Sequence, residues 1–446
     1  MKRINPSRLV AVIAILLSHG RAAADATQPV SNLSLDQALT MARKANRSLV
    51  AERARLAQAQ TNIETAWAAL FPTLAAQGKY TRNNIEFKFA LSPDSTIPGS
   101  TPEVLTIQPK NQLDGVINAV VPIIAPSAYP ALNAVKASVH SAEATFEASQ
   151  ASVLFSVAQA YYAAAISDEV IAARASSIDV ARATLTNAQT RFASGTVTKV
   201  DVDRAELALV RAQQAMREAE FGRAQAYRAL GTLIQSEHDF KVQALGPSTA
   251  LPAVNEQDLQ NLDLALQLRP EFHALAWSVA SARAERNAYA WRWAPSVSAF
   301  GTARAFNYDN FALQRHAWAV GAQLDWVLFD GGVRDAQRHL AAAQAREAEA
   351  RAEVLRDSIR DDLKNDQGQL ETKRHAQKAA ERSVTLAVET LDLVRTQYEA
   401  GNTAQIDLLQ AQDGLTSAKE ALAQAHFEVA IADLTLRRAA GTFPGR

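Results

Sequence analysis

RFASGTVTKVD at residues 191–201 and QYEAGNTAQID at residues 397–407 are two copies of one turn. Phe192 matches Tyr398, Gly195 matches Gly401, Val200 matches Ile406 and Asp201 matches Asp407, all in one register. A second echo lies upstream, where Asn46-Arg47 aligns with Arg269-Pro270, Leu49 with Phe272 and Pro72 with Pro295. The two offsets differ, so a unit of about half the chain is duplicated with unequal insertions, which predicts internal pseudo-symmetry.

Working outward from the turns, the flanking residues read as long helices. After the second turn, Leu408, Leu415, Leu422, Val429 and Leu436 recur every seven positions, each followed three residues later by an alanine, from Ala411 to Ala439. The first unit repeats the register with Val202, Leu209, Met216 and Leu230 and with Ala205, Ala212, Ala219 and Ala226. A strict heptad demands a supercoiled partner, and alanine lets that partner approach closely. Before the turns, Ile171, Ile178, Leu185 and Phe192, and likewise Val384, Leu391 and Tyr398, are seven apart. No proline or glycine lies between Pro130 and Gly195, which predicts a helix of about 100 Å at 1.5 Å per residue. Gly195 and Gly401 then end these helices, and each unit is a long helical hairpin.

Near Pro72, Pro122 and Pro295 the period changes from helical to alternating. Across 317–328, Trp318, Val320, Ala322, Leu324, Trp326 and Leu328 share one face, with Gly321, Gln323 and Asp325 on the other. Residues 73–82 (ending near Tyr80), 113–121 and 296–306 alternate in the same way. Each approaches the 9–11 residues of a tilted transmembrane strand, and Trp318, Trp326 and Tyr80 are candidate membrane-interface aromatics. Residues 83–112, rich in Pro, Ser and Thr, read as one long exposed loop. Four strands cannot close a membrane barrel, because the smallest have about eight. An open sheet would turn unpaired backbone groups toward lipid. If these strands cross a membrane, several chains must share the barrel.

The bulk properties restrict function further. The 446 residues carry 46 Lys+Arg and 46 Asp+Glu; this balance argues against nucleic acid, whose phosphates need a basic surface. There is no cysteine, hence no disulfide, thiolate metal site or lipid attachment through cysteine. Lys2, Arg3 and Arg8, the apolar run Leu9 to Leu17 and Ala22-Ala23-Ala24 have the three-part form of an export signal over 1–24. No HExxH, Walker loop or GxGxxG is present, and the eight histidines are scattered. The expectation is no enzyme, no cofactor and no metal. The organisation reads as a first repeat at 25–230 with strand pair 73–122, a connecting segment at 231–261, and a second repeat at 262–446 with strand pair 296–328.

This order, with the two turn motifs, ALTMARKANRSLVAERARLAQAQ, LRPEFHALAWSVASARAE and WVLFDGGVRDAQ, resembles the TolC-like outer-membrane efflux family over nearly the whole chain after the signal. The resemblance implies a mainly α fold with membrane β: a long coiled-coil helical barrel plus a β-barrel with four strands per chain, closed only in a homotrimer. It implies an outer-membrane duct for efflux or type I secretion, reaching into the periplasm and docked on an adaptor (membrane fusion) protein and an inner-membrane pump. It puts the turns at Gly195 and Gly401, with Thr403, at the periplasmic tip where an adaptor docks. It assigns a constriction to Asp407 and, one helical turn on, to Gln410, where the family has a second acidic residue. It also places a closing contact on Asp201 and Tyr398. Thr403 stands where some members have a basic partner, a second departure. From the residues alone, Asp201 and Asp407 serve equally as caps of the helices that follow. Two other readings of the chain are a periplasmic coiled-coil adaptor and a structural scaffold. An adaptor has one hairpin between β domains, and a scaffold needs no aromatic-ended strands.

Overall fold

The computed structural model describes residues 32–90, 104–236, 240–244, 255–308 and 314–443; residues 1–24, read as an export signal, lie outside them. Each half begins with two helices separated by a polar break. Ser34 and Gln37 cap α1 (Leu35–Ala45) reciprocally, backbone to side chain, at 3.0 and 3.3 Å. Asn46 ends α1 and caps α2 (Arg47–Ala68), its Oδ1 accepting from the amides of Ser48 and Leu49. After the strands β1 (Thr73–Arg82), β2 (Phe87–Ala90), β3 (Val104–Gln108) and β4 (Asn111–Ile124) come α3 (Ala128–Ala193) and α4 (Lys199–Ile234). The connecting segment carries α5 (Glu256–Gln260), and the second half follows with α6 (Leu262–Leu268) and α7 (Pro270–Trp291), then β5 (Ser296–Phe306), β6 (His316–Asp325), α8 (Val333–Glu399) and α9 (Gln405–Ala439). Arg269-Pro270 separates α6 from α7 as Asn46-Arg47 separates α1 from α2, with proline at a position where its missing N–H costs nothing.

The duplication extends to the lengths: α2 and α7 have 22 residues each, α3 and α8 have 66 and 67, α4 and α9 have 36 and 35. Each long helix is clamped at mid-length. Leu154, Val157, Ala158 and Tyr161 of α3 pack with Ala38, Leu39 and Ala42 of α1 and with Leu230 and Ile234 at the end of α4. Ile359, Leu363 and Leu370 of α8 pack with Ala265 of α6 and with Ala432, Leu436 and Ala439 at the end of α9. Leu33 adds a parallel bridge to Val242 across the clamp, and the Tyr161 hydroxyl donates to its carbonyl at 3.0 Å. These clamps supply the core that a lone helical hairpin lacks.

In the hairpins the alanine seam is real but graded. Ala205, Ala212, Ala425, Ala432 and Ala439 are buried, whereas Ala219, Ala226, Ala411 and Ala418 are half-buried. Ala205 is fully enclosed with Ala188 and Val202. Ala205→Leu is therefore expected to destabilise by about 1–3 kcal/mol through overpacking. Ala400→Leu, at an exposed site, is the control. Thermal melts that respond equally to both changes would refute the seam.

The sheet has the order β1-β4-β5-β6, antiparallel throughout. Its register settles the faces, since neighbours in a row point the same way. Ala76, Ile117, Ala303 and Trp318 form one row, and Leu74, Ala119, Gly301 and Val320 another. Adding Tyr80–Leu113 and Val297–Leu324, this face is apolar along most of its length, with Arg82, Asn111 and His316 at its loop end. The opposite face carries Gln77, Lys79, Asp114, Asn118, Thr302, Arg304 and Gln323. Phe300 also lies on that side, its ring covering Gly321, where a Cβ would come within 2.9 Å. Both edge strands, β1 and β6, have one side unpaired within the chain.

Two expectations change. Residues 83–112 are not one loop: β2 and β3 pair as a separate hairpin, while 91–103 lie outside the described residues. β6 stops at Asp325, so Trp326 and Leu328 follow the strand. The ladder ends there because Asp325 faces Ser296, and the next residue of the partner chain segment is Pro295, which has no N–H to offer. Trp326 instead donates its indole N–H to the Trp293 carbonyl at 3.2 Å. Among the described residues no helix is long and apolar enough to cross a membrane.

Candidate functional site: the hairpin tip

Both turns are built by the same backbone device. Gly195 and Gly401 adopt φ of 73° and 77°, a region a Cβ disfavours. This lets the Thr196 amide reach the Arg191 carbonyl and the Asn402 amide reach Gln397, both closing the preceding helix. The aspartates then start the next helix. Asp201 Oδ2 accepts from the Thr198 amide at 3.0 Å and from its hydroxyl at 2.8 Å. Asp407 Oδ2 accepts from the Ala404 amide at 3.3 Å and from the Thr403 hydroxyl at 2.7 Å. Thr403, in the family's basic position, thus serves the cap. The cap reading of both aspartates has direct support, and Asp407 is also exposed.

The Thr198 hydroxyl and amide hold the Asp201 carboxyl below its ordinary pKa. A depressed carboxylate pKa stabilises the fold above the unfolded value and loses that contribution as pH falls through the folded one. The melting difference between the parent and Asp201→Asn is therefore expected at neutral pH. It should vanish on acidification below the usual carboxylate range. A difference independent of pH would show that charge is not involved.

Tyr398 has a different partner from the one the resemblance implied. Tyr398 is buried, but no hydrogen bond joins it to Asp201 among the described residues. Its partner is Arg191 of the other hairpin, whose guanidinium stands 4.5 Å from the ring centroid and donates through Nη1 to the Tyr398 carbonyl at 3.3 Å. Farther from the tip, α3 and α9 meet through Thr184–Gln412 at 3.0 Å, Arg174–Glu420 at 3.0 Å and Glu169–His426 at 3.9 Å. Burial raises the Glu169 pKa. Toward the tip the two hairpins are therefore joined by polar rungs, whereas at mid-length Leu434 of α9 packs into the apolar cluster of α3. At the start of α9, Gln405 is 4% exposed and neither of its amide atoms has a hydrogen-bond partner.

Gln410 is exposed and lines a cavity of about 570 Å³ between α4 and α9, floored by α3. Sequence reasoning missed Arg191 and Gln405. Arg191 opens the first motif, and its counterpart in the second is Gln397. That break in the repeat was the available signal.

Residues 38–234 and 261–442 match the outer membrane efflux protein family, and the chain belongs to it. Of its curated relatives, the outer membrane efflux protein BepC of Brucella suis biovar 1 (strain 1330) is 26% identical over 258 residues. That match covers 57% of this chain and 55% of the relative, so the chain spans about half the length of the curated relative it matches. Among solved structures, the outer membrane protein VceC of Vibrio cholerae superposes with a TM-score of 0.74 at 19% identity, over 91% of this chain and 96% of that one. The open-state MtrE outer membrane channel of Neisseria gonorrhoeae gives 0.74 at 21% identity, over 91% and 88%. These structures share the fold: a helical barrel joined to a β domain that one chain leaves unclosed.

Proposed function

We propose that three copies of the chain assemble into an outer-membrane duct. Its four-stranded sheets would close a shared barrel, and its hairpins a periplasmic tunnel that takes cargo from an inner-membrane pump through an adaptor protein. The observation that carries this reading is the sheet: one face apolar except at its loop end, the other rich in polar residues, and both edges unpaired within the chain. Such a sheet is stable in lipid only when its edges close on other copies. Three as the number, the adaptor and the pump come from the family. Trp318 and Tyr80 lie toward the loop end of the sheet and Trp326 at its helical end, as interfacial anchors require. Gly195 and Gly401 set the tip, with Asp201 and Asp407 shaping it; Arg191 on Tyr398 holds it closed.

Crosslinking of detergent-extracted outer membranes is expected to give a trimer that conducts in planar bilayers. A soluble periplasmic monomer would refute the duct and favour an adaptor or a scaffold.

A further inference from the structure

The cavity beside Gln410 has an uneven charge. Arg204 and Arg211, seven residues apart on α4, and Lys419 on α9 line it, against Asp413 as an acidic group. Arg174 also lines it but is paired with Glu420. Arg204 has only a long contact, 3.8 Å, to Asp201, and is half exposed. Neither Arg211 nor Lys419 has a hydrogen bond or ion pair among the described residues. Between these cations lie apolar side chains, of which Leu207 and Ile406 remain 48% and 39% exposed. The volume of about 570 Å³ falls within the usual range of small-molecule sites. A pocket with apolar walls and uncompensated cations complements one kind of occupant: an apolar body bearing an acidic group.

We propose that this cavity binds anionic amphiphiles passing through the tunnel, Arg204, Arg211 and Lys419 taking the acidic group and Leu207, Ile406 and Leu409 the apolar body. The proposal rests on the duct reading, because it needs Gln410 and its neighbours to face the lumen. It gives that duct a preferred class of cargo. Where the family places a second acidic residue this chain has Gln410, so no carboxylate at that position opposes the bound anion.

The test uses the full trimer in planar bilayers with two probes that share a ring system. 8-Anilinonaphthalene-1-sulfonate is anionic, and N-phenyl-1-naphthylamine is neutral. The sulfonate is expected to interrupt the current at concentrations at least about tenfold lower than the amine, as loss of a charge-assisted contact implies. Raising the salt should weaken its block. In Arg204→Gln/Arg211→Gln the preference is expected to disappear, and in Arg204→Lys/Arg211→Lys it should largely return. Lys419→Gln alone, on the other helix, should weaken sulfonate block by a smaller factor and serves if the double variant does not assemble. Equal block by both probes, or sulfonate block unchanged in the Gln variants, would overturn the site and leave the duct standing; a cavity filled by a neighbouring copy gives this result. Absence of any conductance would overturn the duct reading and the site together.

Discussion

Arg191→Ala is expected to open the tip. The change removes the guanidinium stacked on Tyr398 and the hydrogen bond to its carbonyl. Each is worth on the order of 1 kcal/mol at a partly exposed site. Three copies acting together would shift the closed–open balance by several kcal/mol, on the order of a hundredfold or more. Single channels of the variant should spend most of their time in a high-conductance state, and Arg191→Lys should recover only part of the closure, since lysine lacks the planar stacking group. Tyr398→Phe keeps both the ring and the carbonyl, so it should change little. An Arg191→Ala channel with the parent's conductance would show that the contact does not hold the tip.

The opposite effect is expected from Gln405→Met. An enclosed amide without partners carries an unreturned desolvation cost of roughly 1–3 kcal/mol, and Gln405 has two such atoms behind 4% exposure. Methionine has nearly the same shape and no such cost. The variant is expected to melt at a higher temperature and, as a channel, to open less often. The parent thus holds an unpartnered polar group at the start of α9, so the tip is stable by less than its packing alone would give. A lower melting temperature in Gln405→Met would mean that the amide finds partners in the assembled trimer.

Much of this arrangement was legible in the chain because it depends on local periodicity. Heptads with alanine at every second core position call for a close partner helix, and Gly195 and Gly401 mark where the chain turns back to supply it. Alternation in 73–82 and 296–306 matched the strands to the residue, since a period of two leaves no other way to separate apolar from polar atoms. The cap at Asp201 was readable because Thr198 stands three residues before it, whereas the hydroxyl of Thr403 on Asp407 emerged only in the structure. What failed depended on a partner segment distant in sequence. The end of β6 was overrun because Trp326 and Leu328 continue the alternation, while the ladder is cut short by Pro295 across the sheet. The hairpin of β2 and β3 was hidden by turn-forming residues around it.

By itself, then, the sequence determined the duplication, the two helical hairpins, the turns and the amphipathic strands, all of them set by interactions within a few residues or by a repeating face. The tertiary structure alone decided which residues join one hairpin to the other. Arg191 lies 207 positions from Tyr398, and Thr184 lies 228 from Gln412. No spacing rule connects such positions; they meet because the clamps at mid-length fix how two rods about 100 Å long lie against each other. The residues that join the hairpins near the tip therefore follow from packing far from it.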